Sequence, residues 1–193
     1  MNKINFVIVI LFLLLSAACN SSEDYIPKPR GYFRIQLPEH KYKTFDPATC
    51  PFSFEIPNDG YAIRDTNSLS EPCWWYLLLP KVNGQIYLTY KPIDKNFASF
   101  LEDTRTLVYK HTTRASSIDE KVITFHPGVT GIIYNIGGDA ASPLQFFVTD
   151  STKHFLRGAV YFNVAPNADS IAPVVAYVQK DIQHLLQSLK WKN

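Results

Sequence analysis

The sequence has no long run of charge and no apolar segment long enough to span a bilayer. Its 19 Lys and Arg residues are scattered and nearly balanced by 17 Asp and Glu residues. Without a basic stripe or an acidic run, nothing indicates nucleic-acid binding or a solvating tail. Only 13 Pro and 8 Gly residues occur in 193, which excludes a collagen-like or low-complexity chain. The 46% hydrophobic content instead fits one domain with a substantial core.

The sequence also lacks the motifs of common metal and catalytic sites. It has no CxxC pair, no HxxxH-type histidine spacing, and neither the GxSxG nor the SxxK motif of a serine nucleophile. One polar cluster remains, in residues 149–163 (TDSTKHFLRGAVYFN), where Asp150, Ser151 and His154 lie close together. Small polar residues favour turns, and neighbouring strand residues point to opposite faces. We therefore predict a β-hairpin here, and a protein that is not an enzyme and needs no metal or cofactor.

The longest apolar run lies near the N-terminus. Residues 6–15 (FVIVILFLLL) follow the basic Lys3, and their length fits the hydrophobic part of a signal peptide. The next residues are SAAC and then polar NSSED, the layout of a bacterial lipoprotein signal. We predict that residues 1–18 are removed and that Cys19 carries fatty acyl chains such as palmitate, which anchor the protein to a membrane. The alternative is an ordinary secretory signal with an incidental cysteine.

Export of the protein bears on the oxidation state of the two remaining cysteines. Cys50 and Cys73 would lie in an oxidising compartment, where such a pair favours a disulfide. Closing this loop of 24 residues would stabilise the fold by about 3 kcal/mol in the entropic model. Two buried free thiols are the alternative.

The hydrophobic periodicity predicts strands, a helix, more strands and a final helix. Period-two alternation favours strands over 52–57, 61–65, 73–80 and 85–93, and then over 122–126, 130–136, 143–149 and 153–163. Apolar residues at helical spacing predict helices over 96–112, with Leu107 in the apolar stripe, and over 170–191, with Ser170 as the N-cap. A polar connection is expected between the first helix and residue 122.

This order predicts an α+β domain over residues 50–193, built on a largely antiparallel sheet packed with helices. The lipoprotein signal and an extended tether and lead-in, residues 19–49, precede it, because Pro27 and Pro29 prevent a helix there. The order of strands and helices is similar to that of the PsbP-like α/β/α sandwich.

Several aromatic and basic side chains have no evident role in a spacer or in a core. Aromatic and basic residues of the lead-in and the Trp pair, of which alternation places one ring outward, are predicted contacts for a partner. These residues are Arg30, Tyr32, Phe33, Arg34, Trp74 and Trp75. Arg157 is expected to be a surface charge or an ion-pair partner inside the sandwich.

Several segments carry a family resemblance, among them residues 24–38 (DYIPKPRGYFRIQLP) and 102–111 (EDTRTLVYKH), and above all residues 145–174. In these segments the chain resembles the gliding-motility lipoprotein GldD family of Bacteroidetes, from about residue 24 to residue 191. The resemblance implies an envelope lipoprotein required for gliding and, by association, for type IX secretion. It offers no catalytic residues to carry over. Cys19 corresponds to the lipidation site of the family, and we expect the protein on the periplasmic face of the outer membrane.

Three functions follow as hypotheses. The first is a lipid-anchored, non-enzymatic accessory or assembly module that contacts envelope proteins of the gliding and secretion machinery. The second is an envelope binding protein for a small ligand, a glycan or peptidoglycan. The third is a hydrolase that uses His154 with Asp150 or Ser151.

Overall fold

The computed structural model describes Gly31, residues 34–67 and residues 69–192. Its strands are β1 (Tyr42–Phe45), β2 (Phe52–Pro57), β3 (Tyr61–Arg64), β4 (Trp74–Leu79), β5 (Gly84–Pro92), β6 (Ala115–His126), β7 (Val129–Gly138), β8 (Leu144–Thr149), β9 (His154–Phe162) and β10 (Lys190–Trp191). Its α-helices are α1 (Phe97–Tyr109) and α2 (Ala168–Ser188), and 3-10 turns occupy Pro80–Val82 and Lys110–Thr113. Neither of these two helices combines the length and apolar character that crossing a membrane requires.

The strands form two antiparallel sheets. The large sheet has the order β3-β4-β5-β9-β8-β7-β6, and the small sheet has the order β1-β2-β10. The long pairing of β5 with β9, from Gly84↔Phe162 to Pro92↔His154, joins the early hairpins of the chain to the late ones. The predicted α+β class on a largely antiparallel sheet is confirmed.

The large sheet has a helix on each side. Helix α2 and the small sheet cover one side, the α2 face, where Leu88, Phe146 and Leu156 belong to the main core. Helix α1 covers part of the other side, the α1 face, where Val108 of the helix packs in a smaller cluster with Tyr134, Phe147 and Phe155. The layers are therefore helix, sheet, and then a helix beside a second sheet.

Strand β6 is longer than the sequence predicts. A polar connection is expected up to residue 121, but the strand already begins at Ala115. It lies at the edge of the large sheet and most of its residues are exposed, so polar residues are tolerated there and hide the strand pattern. In the neighbouring helix α1, Leu107 is 39% exposed and not part of a buried stripe.

Helix α2 begins at Ala168, and its N-cap is Asn167. The Asn167 side-chain oxygen accepts a hydrogen bond from the backbone N–H of Ser170 at 3.1 Å. The prediction of Ser170 as the N-cap is therefore wrong. Asn and Ser are similarly good N-caps, so the local sequence does not decide between them.

Ordered structure extends N-terminal of Cys50, into the segment predicted as tether and lead-in. Arg34–Asn193 form one compact unit. Strand β1 pairs with β2 from Tyr42↔Pro57 to Phe45↔Phe54. The short β1 is difficult to recognise from sequence, because it has four residues and none of them is fully buried.

A polar and aromatic cluster holds this N-terminal segment on α2. The buried Asp181 of α2 accepts hydrogen bonds at Oδ1 from His40 Nδ1 at 2.7 Å and from the Tyr42 hydroxyl at 3.0 Å. The Tyr42 ring stacks on His184 with centroids 3.6 Å apart, and Nε2 of His184 lies 2.6 Å from Oε2 of Glu55. Burial raises the pKa of Asp181, whereas the two hydrogen bonds lower it. The chain therefore enters the domain along α2.

The segment between β8 and β9 is a tight turn, so the hairpin prediction is confirmed. Oδ1 of Asp150 accepts backbone N–H groups from Thr152, Lys153 and His154 at 3.0, 2.8 and 2.8 Å. Ser151 has a left-handed φ of 65°. Burial acts to raise the pKa of Asp150, but the N–H donors outweigh it and lower the pKa from 3.8 to about 2.

We expect Asp150→Ala to lower the free energy of unfolding by about 1 kcal/mol near neutral pH, because three N–H groups lose their acceptor. The folded-state pKa lies below the unfolded value, so this carboxylate stabilises the fold above pH ~4, and its contribution disappears as the pH falls through about 2. Urea unfolding of the native protein and the variant, near neutral pH and near pH 2, measures this difference in stability. Asp150→Asn is the uncharged control. A difference between native and Ala variant that is as large at the low pH contradicts this account.

Candidate functional site

A cleft of about 400 Å³ lies between α1 and the large sheet. Its floor contains one row of paired strand residues, in which Trp74 of β4 pairs with Thr89 of β5, and Thr89 pairs with Arg157 of β9. Directly opposed residues of antiparallel strands project to the same face, so all three belong to the α1 face. The volume is in the range of small-molecule binding sites.

Arg157 is the half-buried charge of this cleft. Its Nη2 donates a hydrogen bond to Oε1 of Gln145 on β8 at 2.6 Å, whereas its Nε is buried without a hydrogen-bond partner. None of the ion pairs among the described residues involves Arg157. Burial lowers the pKa of Arg157, and nearby tyrosines raise it. A guanidinium still carries its charge at neutral pH, so the cleft contains an unbalanced positive charge.

Unpaired hydrogen-bond donors are concentrated on the same face. Five buried side-chain atoms of the described residues have no hydrogen-bond partner. Three of the five are N–H donors on the α1 face, namely Nε1 of Trp74, Nε2 of Gln145 and Nε of Arg157. Trp74 and Arg157 also line the cleft, so two of these three donors belong to residues that a group in the cleft would contact.

Lys91 supplies a further cation to the cleft. Its Nζ donates to Oε1 of Glu71 at 3.0 Å and lies 5.7 Å from the ring centroid of Trp74 and 5.5 Å from that of Phe100. These distances allow cation–π attraction. The charged lining residues are Lys91, Lys110, Arg157 and Asp103. Because Glu71 pairs with Lys91 and Asp103 also lines the cleft, the three cations exceed these carboxylates by one positive charge, which favours an anion.

Beside the cleft, the α1 face continues into a surface that we call the open face, formed by the exposed Tyr61 and Ile63 and the half-buried Tyr76. Ile63 of β3 pairs with Tyr76 of β4, which pairs with Tyr87 of β5. Tyr61 and Ile63 are 49% and 48% exposed, so no described element covers them. The Tyr87 hydroxyl donates to Oδ2 of the buried Asp65 at 2.8 Å, which orients its ring between the open face and the cleft.

The comparison with protein families decides the identity. The model of the gliding motility lipoprotein GldD matches residues 22–191. The chain belongs to the GldD family. Membership implies a part in gliding motility and an association with the cell envelope. Among curated proteins, none matches the chain significantly.

The fold of this GldD family member is similar to a solved structure, the solution structure of cyanobacterial PsbP (CyanoP) from Synechocystis sp. PCC 6803. The two share 9% sequence identity with a TM-score of 0.49, and the alignment covers 80% of this chain and 95% of that chain.

The structure separates the predicted contact residues of the GldD chain. Arg34 is exposed, Trp74 lines the cleft, and Trp75 lies on the α2 face with its ring centroid 5.1 Å from that of Phe45. The predictions for Cys19, Arg30, Tyr32 and Phe33 lie outside the described residues. Of the two described aromatic contacts, Trp74 and Trp75, Trp74 is the one that contributes an unpaired donor on the α1 face.

Cys50 and Cys73 form a disulfide bond, with their Cα atoms 5.7 Å apart. Both side chains are buried; Cys50 lies two residues before β2, and Cys73 lies immediately before β4. The bond therefore ties the small sheet to the large one.

The residues of the proposed hydrolase site are not brought together. His154 projects to the α2 face, where Nδ1 lies 2.9 Å from the Tyr90 hydroxyl and the ring stacks on Trp191. The Asp150 carboxylate accepts the backbone N–H groups of its turn, and Ser151 is the left-handed residue of that turn. Within the described part of the chain, no group of three His, Cys, Asp or Glu residues is suitable for a metal ion.

Sequence reasoning missed Gln145 and assigned the wrong environment to Arg157. Arg157 is neither a free surface charge nor an ion-pair partner among the described residues, because its side-chain partner is a neutral amide. A signal was available: an Arg in the apolar segment HFLRGAVYF and a Gln in LQFFVT are unusual for buried strands.

We expect Gln145→Ala to lower the free energy of unfolding by about 2 kcal/mol, because it leaves the half-buried guanidinium without its side-chain acceptor. The double variant Arg157→Met/Gln145→Met removes both polar groups at similar volume, so its stability should equal or exceed that of the native protein. Urea unfolding of the purified protein measures both, with Arg105→Met on α1 as the control for losing a cation. A double variant that is less stable than the native protein contradicts this prediction.

Proposed function

We propose that this GldD family member is a lipid-anchored, non-catalytic accessory component of the gliding machinery and of the associated type IX secretion apparatus, and that it acts through protein–protein contacts. Family membership supports the link to gliding. The secretion role, the outer-membrane location facing the periplasm and the contact mechanism are parts of the proposal.

The observation that carries the contact mechanism is the open face. Exposed apolar and aromatic side chains that lie side by side on a sheet are typical of interaction surfaces. Strand β3 is also the last strand of the large sheet, so its outer edge is unpaired in the part of the chain that the structure describes. Its Tyr61 and Ile63 provide a surface onto which an envelope protein could pack, and the edge offers backbone hydrogen bonds as well.

Membrane attachment is proposed through Cys19. Each buried acyl CH₂ group contributes about 0.8 kcal/mol, so two or more chains hold the protein firmly at the membrane. We expect Cys19→Ala to abolish labelling by a palmitate analogue and to release the protein from the membrane fraction. The Cys50→Ser/Cys73→Ser variant is the control and should keep the label. Labelling that persists in Cys19→Ala would exclude this residue as the anchor.

We expect the double variant Tyr61→Ser/Ile63→Ser to impair gliding while its cellular level stays normal. Exposed positions change stability by about 0.5 kcal/mol or less, so the fold should persist, whereas the contact surface is lost. Colony spreading and single-cell motility measure the effect. Val122→Ser is a matched control, since Val122 is a 75% exposed apolar strand residue at the other end of the large sheet.

A photo-crosslinking side chain at position 63, compared with one at position 122, identifies the partner in living cells. Enrichment of gliding or secretion components from position 63 alone supports the proposal. Motility that is normal in the double variant, together with identical crosslinks from both positions, removes the open face from the mechanism.

A further inference from the structure

We propose that the cleft beneath α1 binds a small ligand whose carboxylate group pairs with Arg157 and whose apolar or ring-shaped body packs on the aromatic side chains of the cleft.

The unbalanced charge of Arg157 supports an anionic ligand. A guanidinium removed from water is stabilised by a negative partner and by hydrogen bonds to its remaining N–H groups. Here its side-chain partner is the neutral Gln145, and Nε has no acceptor. The Gln145 amide holds the guanidinium at one side, which leaves the other donors for a second group.

The unpaired donors specify the same chemistry. Trp74, Gln145 and Arg157 each have a buried N–H group without an acceptor, and the one amide oxygen among them already accepts from Arg157. Buried polar groups of native proteins are nearly always paired. Trp74 and Arg157 line the cleft, so a negatively charged acceptor in it is the group that would meet the guanidinium.

One negative charge fits the cleft better than two. Lys91 is already paired with Glu71, and Lys110 shares the cleft lining with Asp103, so Arg157 is the charge that lacks compensation. A planar carboxylate also matches the fork of a guanidinium through two parallel hydrogen bonds. A phosphate dianion would leave an excess of negative charge in the site.

The walls of the cleft determine the body of the ligand. Trp74, Phe100 and Phe155 contribute aromatic rings, and Leu107 contributes an exposed aliphatic side chain. Such rings pack on the C–H groups of a sugar ring or on another apolar group. A volume of about 400 Å³ holds one or two rings, not a folded chain.

Paired probes test the carboxylate directly. N-acetylmuramic acid is compared with the neutral N-acetylglucosamine, and N-acetylphenylalanine with its neutral amide, by calorimetry and ligand-observed NMR on the purified protein. We expect one or both carboxylates to bind and each neutral partner to bind about tenfold more weakly or not at all. The two pairs distinguish a sugar acid from a terminal amino-acid carboxylate.

Two variants locate the site. Arg157→Met removes the cation. Gln145→Glu supplies an internal carboxylate that should pair with Arg157 and exclude the ligand, and this variant should remain folded. Both should weaken carboxylate binding about tenfold or more. Arg105→Met removes a cation from α1 outside the cleft lining and should leave binding unchanged.

Binding of a carboxylate probe that both variants abolish and Arg105→Met preserves establishes the site. The proposal is overturned if no carboxylate probe binds, if neutral and charged probes bind equally, or if Gln145→Glu binds as the native protein does. Tighter binding of inorganic phosphate than of either carboxylate also overturns it.

Discussion

A single short helix covers only part of a seven-stranded sheet, and the functional surfaces of this protein depend on that mismatch. Helix α1 has 13 residues, about 20 Å in length and about 10 Å in diameter, whereas seven strands span about 29 Å. On the other side, α2 of 21 residues is assisted by the small sheet, so the α2 face is buried. The α1 face is therefore buried under the helix, partly enclosed at the cleft, and exposed at the open face.

The polar groups of the cleft are more consistent with binding than with stability. An Arg and a Gln on neighbouring central strands contribute less to a core than apolar residues of the same volume would. Natural proteins tolerate such local losses mainly where a site requires them. The open face and the cleft lie on the same side of the sheet, joined through Tyr87, so a ligand in the cleft and a protein on the open face would be neighbours.

The opposite side of the molecule has a structural role. His40 and Tyr42 bind the buried Asp181, and the Cys50–Cys73 bond ties the two sheets together. These contacts fix where the chain enters the domain.

Local pattern in the sequence was sufficient for the elements and the class of the fold. Period-two alternation and helical spacing depend on residues within one segment, and they predicted most strands, both helices and the turn at Asp150. They failed where exposure or equivalent residues weaken the pattern, at β1, at the start of β6 and at the cap of α2.

Only the tertiary structure decided which face each strand buries and which side chains contact one another on that face. The pairing of Thr89 with Arg157, and the contact between His40 and Asp181, join residues far apart in sequence. The register between distant strands is set by the joint burial of many side chains. For this reason Arg157 lines the cleft, whereas His154, three residues away, is buried on the opposite face.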